Sequence, residues 1–245
     1  NNIAIGYDAL QANTTANANV AVGVDAMYDN TTGASNVAMG GGALANNTTA
    51  SENTAVGYQA MLDNTTGGSN AAFGHESLAN NTIGMRNCAF GDSAMNAHTT
   101  GGNNTAIGRY SLTQSTTASD NTAVGCNALF ATTTGGDNVG VGASALYSNT
   151  TGVYNVAVGV NALKDSTSSS NTAVGWKALE ANTTGAANIA VGREALADNT
   201  TASNNLAIGY QALYVSTTAA NNVALGNYNL DSNTTGDGNT AVGYG

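Results

Sequence analysis

The 245-residue chain contains no proline, and only 8% of its residues are charged. A soluble domain usually carries about 25%, so an ordinary charged surface is excluded. Five Lys and Arg face fifteen Asp and Glu, a formal charge of −10. Nucleic acid and anionic membranes both need clustered cations, so neither is an expected partner. No apolar run approaches the roughly 20 residues of a membrane-spanning helix, and no membrane insertion is expected. Two cysteines, Cys88 and Cys126, are too few for a disulfide framework and indicate no redox compartment.

What remains is dominated by Gly, Asn, Thr and Ala, a bias shared with disordered low-complexity segments. Disorder would not hold large apolar residues in phase, and this chain does. Asn53–Ser69 reads NTAVGYQAMLDNTTGGS, and Asn70 begins the phrase again. The motif starts at Asn2, Asn19, Asn36, Asn53, Asn70, Asn87, Asn104, Asn121, Asn138, Asn155, Asn171, Asn188, Asn205, Asn222 and Asn239. Every interval is 17 residues except Asn155 to Asn171, which is 16 and lacks a residue within 165–170. A period of this size marks a solenoid in which each repeat is one coil. Seventeen residues rich in Gly, Thr and Asn are too few and too poor in helix formers for a helical pair. The expectation is therefore all-β: a parallel β-solenoid of about 14 coils with two short strands per coil, one repeat region over residues 1–245. Coils about 4.8 Å apart would make a rod about 70 Å long.

Each position of the repeat has a physical reading. The invariant Asn at the first position predicts a ladder of side-chain amides bonded up and down the stack. Positions two and four (Ile3 and Ile5, Val20 and Val22) are mostly apolar, and the third is Ala except at Gly140. Period two predicts a short strand. Size suggests that the large residues fill the coil while the Ala file faces outward against a close neighbour. Gly at the fifth position, Gly6 through Gly243, predicts positive φ or close backbone approach. Leu or Met at the ninth supplies a second inward residue, and Asn-Thr-Thr-Gly predicts a turn.

The phrases NTAVGYQAM (Asn53–Met61), NTAVGWKAL (Asn171–Leu179) and NLAIGYQAL (Asn205–Leu213) resemble repeats of bacteriophage tail fibres and of trimeric autotransporter adhesin heads. The resemblance covers the whole chain. It implies a left-handed parallel β-roll and a homotrimeric extracellular fibre, on a virion tail or bacterial surface, that serves attachment. Because the chain starts and stops inside the motif, it is expected to be a segment of a longer fibre protein.

The search for chemistry is short. His75 and His98 occupy different positions of the repeat and have no metal-ligating partner at a useful spacing. Cys88 replaces a residue expected in the core, and Cys126 is expected at the surface. Asp8 and Asp25 share a file and suit a cation or, more simply, solvent. Asn-Thr-Thr matches the glycosylation sequon repeatedly, as at Asn13 and Asn64, but turn chemistry accounts for it. No nucleophile–base pair and no phosphate-cradling loop is present, so no enzyme and no cofactor is expected. Candidate surface-binding residues are Trp176, Arg193 and Tyr210, expected to form a cation–π ladder, with Phe130 and Tyr147 stacked nearby. A cell-surface glycan or protein receptor is the expected ligand, and a filament is the alternative form of self-association. The near-continuous Thr file at position 13 raises a contrasting possibility, an ice-binding or other lattice-binding solenoid.

Overall fold

The structure, a computed structural model, describes all 245 residues, Asn1–Gly245. It is an all-β parallel β-solenoid without a helix. The chain divides into two compact units, Asn1–Asn121 and Thr122–Gly245. The first holds β1 (Ile3–Ile5), β2 (Val20–Val22), β3 (Val37–Met39), β4 (Thr54–Val56), β5 (Ala71–Phe73), β6 (Cys88–Phe90) and β7 (Thr105–Ile107). The second holds β8 (Thr122–Val124), β9 (Val139–Val141), β10 (Val156–Val158), β11 (Thr172–Val174), β12 (Ile189–Val191), β13 (Leu206–Ile208), β14 (Val223–Leu225) and β15 (Thr240–Val242).

Within each unit every strand pairs in parallel with the next, and equivalent positions face one another. Val56 thus lies beside Phe73, and Phe73 beside Phe90. Parallel strands normally need a long crossover; here the remainder of each repeat is that crossover, folded tightly against the strand.

Each coil has one strand rather than the expected two. The opposite side keeps inter-coil hydrogen bonds, as from Gly42 N to Val24 O (2.9 Å) and Leu44 N to Ala60 O (3.0 Å). It cannot be extended, because positions seven and nine are left-handed: Gln59 has φ 52° and Met61 φ 54°. A third left-handed residue closes the coil, as at Ser69 with φ 60°. Left-handed turns flanking position eight bring positions eight and nine both inward. Position five bends differently, at φ between 129° and 142° in Gly6 through Gly243. A Cβ on Gly57 would collide with the carbonyl of Gly74 in the next coil, so that file admits only glycine.

The strand faces the opposite way from the expectation drawn from residue size. Ala38, Ala55, Ala72, Ala106 and Ala207 are fully buried. Met39, Ile107 and Ile208 are 45%, 44% and 42% exposed. The reason is room. The opposite wall already sends Ala or Ser at position eight and Leu or Met at position nine into a narrow lumen, as with Ala60 and Met61, both fully buried. A Cβ built on Gly140, the one gap in the Ala file, would lie 3.3 Å from Leu129 Cγ. Only a methyl group fits between the walls, and the larger residues must project outward. Cys88 is accordingly half-buried on the outward face rather than in the core.

With one large apolar side chain per coil inside, cohesion falls to hydrogen bonds. The first-position ladder exists; the amide–amide contact expected occurs at Asn104–Asn87 (3.0 Å), Asn121–Asn104 (3.3 Å) and Asn155–Asn138 (3.2 Å), but the main rung is different. Each Asn Oδ1 accepts the backbone N–H of the next Asn, as Asn53 does from Asn70 (2.9 Å), while Nδ2 donates to its own coil's position fifteen, Gly67 O (3.0 Å). The same backbone rung continues through Asn19, Asn36, Asn87, Asn188, Asn205, Asn222 and Asn239. A true amide ladder stands at the other corner, position twelve. Asn47 donates to Asn30 at 2.8 Å, Asn64 to Asn47 at 3.0 Å and Asn81 to Asn64 at 2.7 Å.

The 16-residue coil omits the second Thr of the turn. Asn155 Nδ2 donates to Ser168 O at 2.8 Å, the bond that Asn138 makes to Gly152, and Asn171 N still reaches Asn155 Oδ1 at 2.9 Å.

Candidate interaction surfaces

The outward strand face is built from positions two and four, which alternation turns away from the filled lumen. Apart from occasional Thr and Cys88 it is apolar, and it carries no formal charge. Ile3, Ile5, Met39, Phe90, Ile107, Val156, Val158, Val174, Ile189 and Ile208 are all exposed on it. In the first unit Phe73 and Phe90 stack with ring centroids 4.4 Å apart. A run of large apolar groups in identical register is unusual on a free surface.

Beyond the Gly bend, position six forms a second file. In the second unit the expected Trp176–Arg193–Tyr210 ladder is present. The Arg193 guanidinium lies 4.8 Å from the Trp176 ring centroid and 5.5 Å from that of Tyr210. Lys177 Nζ also lies 4.8 Å from the Trp176 ring and 3.0 Å from Glu180, whose hydrogen bond pushes the lysine pKa up. Tyr210 and Tyr228 meet edge to face at 5.1 Å, and Tyr228 and Tyr244 at 5.9 Å. Phe130 and Tyr147 stack at 5.0 Å with planes 4° apart. These groups largely satisfy one another: two cations already occupy Trp176, leaving a shallow cavity of about 310 Å³ beside Arg193.

The first unit has its own chain along this file. Tyr58 stacks on His75 at 5.6 Å, His75 Nδ1 lies 3.2 Å from Asp92, and Asp92 accepts from Arg109 Nε at 3.2 Å. Neither a family model nor a curated protein matches the sequence.

The remaining polar residues are structural or dispersed. His98 replaces Asn at position twelve and is fully buried, with Nε2 2.8 Å from Gly101 O and Nδ1 3.1 Å from Ser115 Oγ. Nε2–H donating to the carbonyl leaves Nδ1 to accept from the hydroxyl, a neutral tautomer, and burial lowers the pKa. The substitution interrupts the amide ladder and leaves Asn81 Oδ1 without a partner. Cys88 and Cys126 are both free, and burial raises the Cys88 pKa. No group of three or more His, Cys, Asp or Glu side chains converges as a metal site requires. The Thr file at position thirteen is committed to the stack: Thr31, Thr48, Thr65 and Thr82 each donate Oγ1 to the carbonyl of the next Thr at 2.9–3.1 Å.

The position-twelve ladder does not stand out in the sequence. Its signal was the recurrent Asn of Asn-Thr-Thr, for which turn propensity was an adequate explanation.

Proposed function

We propose that the chain is a structural fibre element, an extracellular shaft that associates with copies of itself and serves attachment to a cell-surface receptor or glycan. The supporting observation is the outward strand face. At about 4.8 Å per coil and a width of about 10 Å, seven coils present on the order of 340 Å² of projected apolar surface. That falls within the roughly 300–600 Å² of the largest apolar patch on a typical monomer, a patch that is often functional. An identical chain offers a matching partner, with the same spacing and no charge to desolvate on that face, and a homotrimer or filament is the assembly proposed. Many weak contacts made by successive coils would add through valency.

The test is the mass of the intact 245-residue chain by sedimentation and native mass spectrometry. The wild-type chain should be trimeric or longer. The double variant Val158→Glu, Val174→Glu should be monomeric, with unchanged circular dichroism. A wild-type chain that stays monomeric at roughly 100 μM, a concentration where even weak interfaces assemble, would refute the proposal.

A further inference from the structure

The position-six and position-seven files are interrupted at one place in the first unit. The third coil alone has glycine at both, Gly41 and Gly42, between Val24–Asp25 and Tyr58–Gln59. Without side chains there, the surface opens into a notch of about 350 Å³ bounded by Asp25, Gly41, Gly42, Tyr58, Gln59 and Leu62. It adjoins a second cavity of about 410 Å³ that includes Asp8, Asp25 and Tyr28.

The interruption leaves an aromatic face uncovered. Tyr58 stacks on His75 of the following coil with planes 14° apart. Toward the preceding coil it meets only Gly41, where a Cβ would stand 3.6 Å from Tyr58 Cδ2. Tyr58 is 55% exposed. At its rim lie the Asp25 carboxylate and the Gln59 amide, and neither side chain is engaged in a hydrogen bond or ion pair within the protein. An open ring face with free donors and acceptors at its edge matches a pyranose, whose C–H face is apolar and whose equatorial hydroxyls radiate sideways.

We propose that this notch binds one pyranose ring of a neutral or amino sugar, stacked on Tyr58 and hydrogen-bonded by Asp25 and Gln59. Asp8 and Asp25 repel a sugar carboxylate, so acidic sugars are excluded. The site lies on the position-six file, off the strand face, and it stands or falls separately from self-association.

The test is saturation-transfer NMR on the intact chain with the methyl glycosides of glucose, galactose, N-acetylglucosamine and glucosamine, and of glucuronic acid as the acidic control. At least one neutral or amino glycoside should bind in the millimolar range usual for a single shallow contact, and glucuronide should not. Gly41→Val fills the notch. Its backbone is not left-handed and its nearest new contacts, 3.6–3.9 Å, are ordinary, so the variant should fold. It should weaken binding at least tenfold with unchanged circular dichroism. Tyr58→Ala, which removes the exposed ring itself, should do likewise and serves if Gly41→Val misfolds. Absence of binding by all four sugars, equal binding of glucuronide, or binding indifferent to both substitutions would overturn the proposal.

Discussion

Two single variants, Ala207→Leu and Ile208→Thr, test which way the strand faces. Ala207 is fully buried and Ile208 is 42% exposed, although Ile is much the larger residue. Leu at 207 would push three extra carbons into a lumen where Ala212 and Leu213 of the same coil are themselves fully buried. Overpacking of this kind costs about 1–3 kcal/mol, and the absence of free space places the expectation near 3. Thr at 208 keeps a β-branched side chain on a half-exposed surface and should cost about 0.5–1 kcal/mol. Repeat proteins do not unfold as one unit, so local hydrogen exchange is a better assay than a global midpoint. Backbone amides of 206–213 should lose protection roughly 100-fold in Ala207→Leu and less than about 5-fold in Ile208→Thr, since 1.4 kcal/mol is about a factor of ten. Equal losses, or a larger loss at 208, would mean that the large residues fill the coil after all.

Asn53→Ala should deprive the Asn70 amide of its buried acceptor. Gly67 O keeps a second donor in Asn64 at 3.0 Å. The loss is therefore mainly one orphaned N–H, about 1–3 kcal/mol, and the Asn70 amide should exchange roughly 5- to 150-fold faster. His98 gives a pH dependence. Its folded pKa lies below 6.5, so the unfolded chain takes up a proton that the folded chain resists. Its penalty is absent above the unfolded value and grows as pH falls from there toward the folded value. The denaturant midpoint should be lower at pH 5.5 than at pH 7.5, and His98→Asn, which also gives Asn81 Oδ1 a donor, should flatten that difference.

The coil period, the parallel stacking and the glycine bend could be read from the sequence, because each depends on strict recurrence. The direction of the strand could not be read from size alone. Val, Ile, Met and Phe at position four look like core residues, yet the more telling signal was uniformity. Ala persists in nearly every coil because the lumen tolerates nothing bigger, whereas positions two and four vary from Ala71 to Phe90 because their outer surroundings are permissive. Left-handed Leu and Met at position nine had no local signal at all; Met61 adopts φ 54° because coil closure overrides an intrinsic preference of about 1–2 kcal/mol. At the surface, the Trp176–Arg193–Tyr210 file was legible from spacing. The notch beside Tyr58 was not, because it is made by side chains that are missing at Gly41 and Gly42.

The shortened coil at Asn155–Ser170 shows where the pattern has slack. One threonine is gone, yet both asparagine corners remain occupied or bridged, with Ser166 and Ser168 standing in at the second. Length along this turn is therefore adjustable, whereas length between the two corners is set by the lumen. Variation in such a chain would accumulate as trimmed or swollen turns and as whole coils gained or lost, each change healing against its neighbours without disturbing coils farther along.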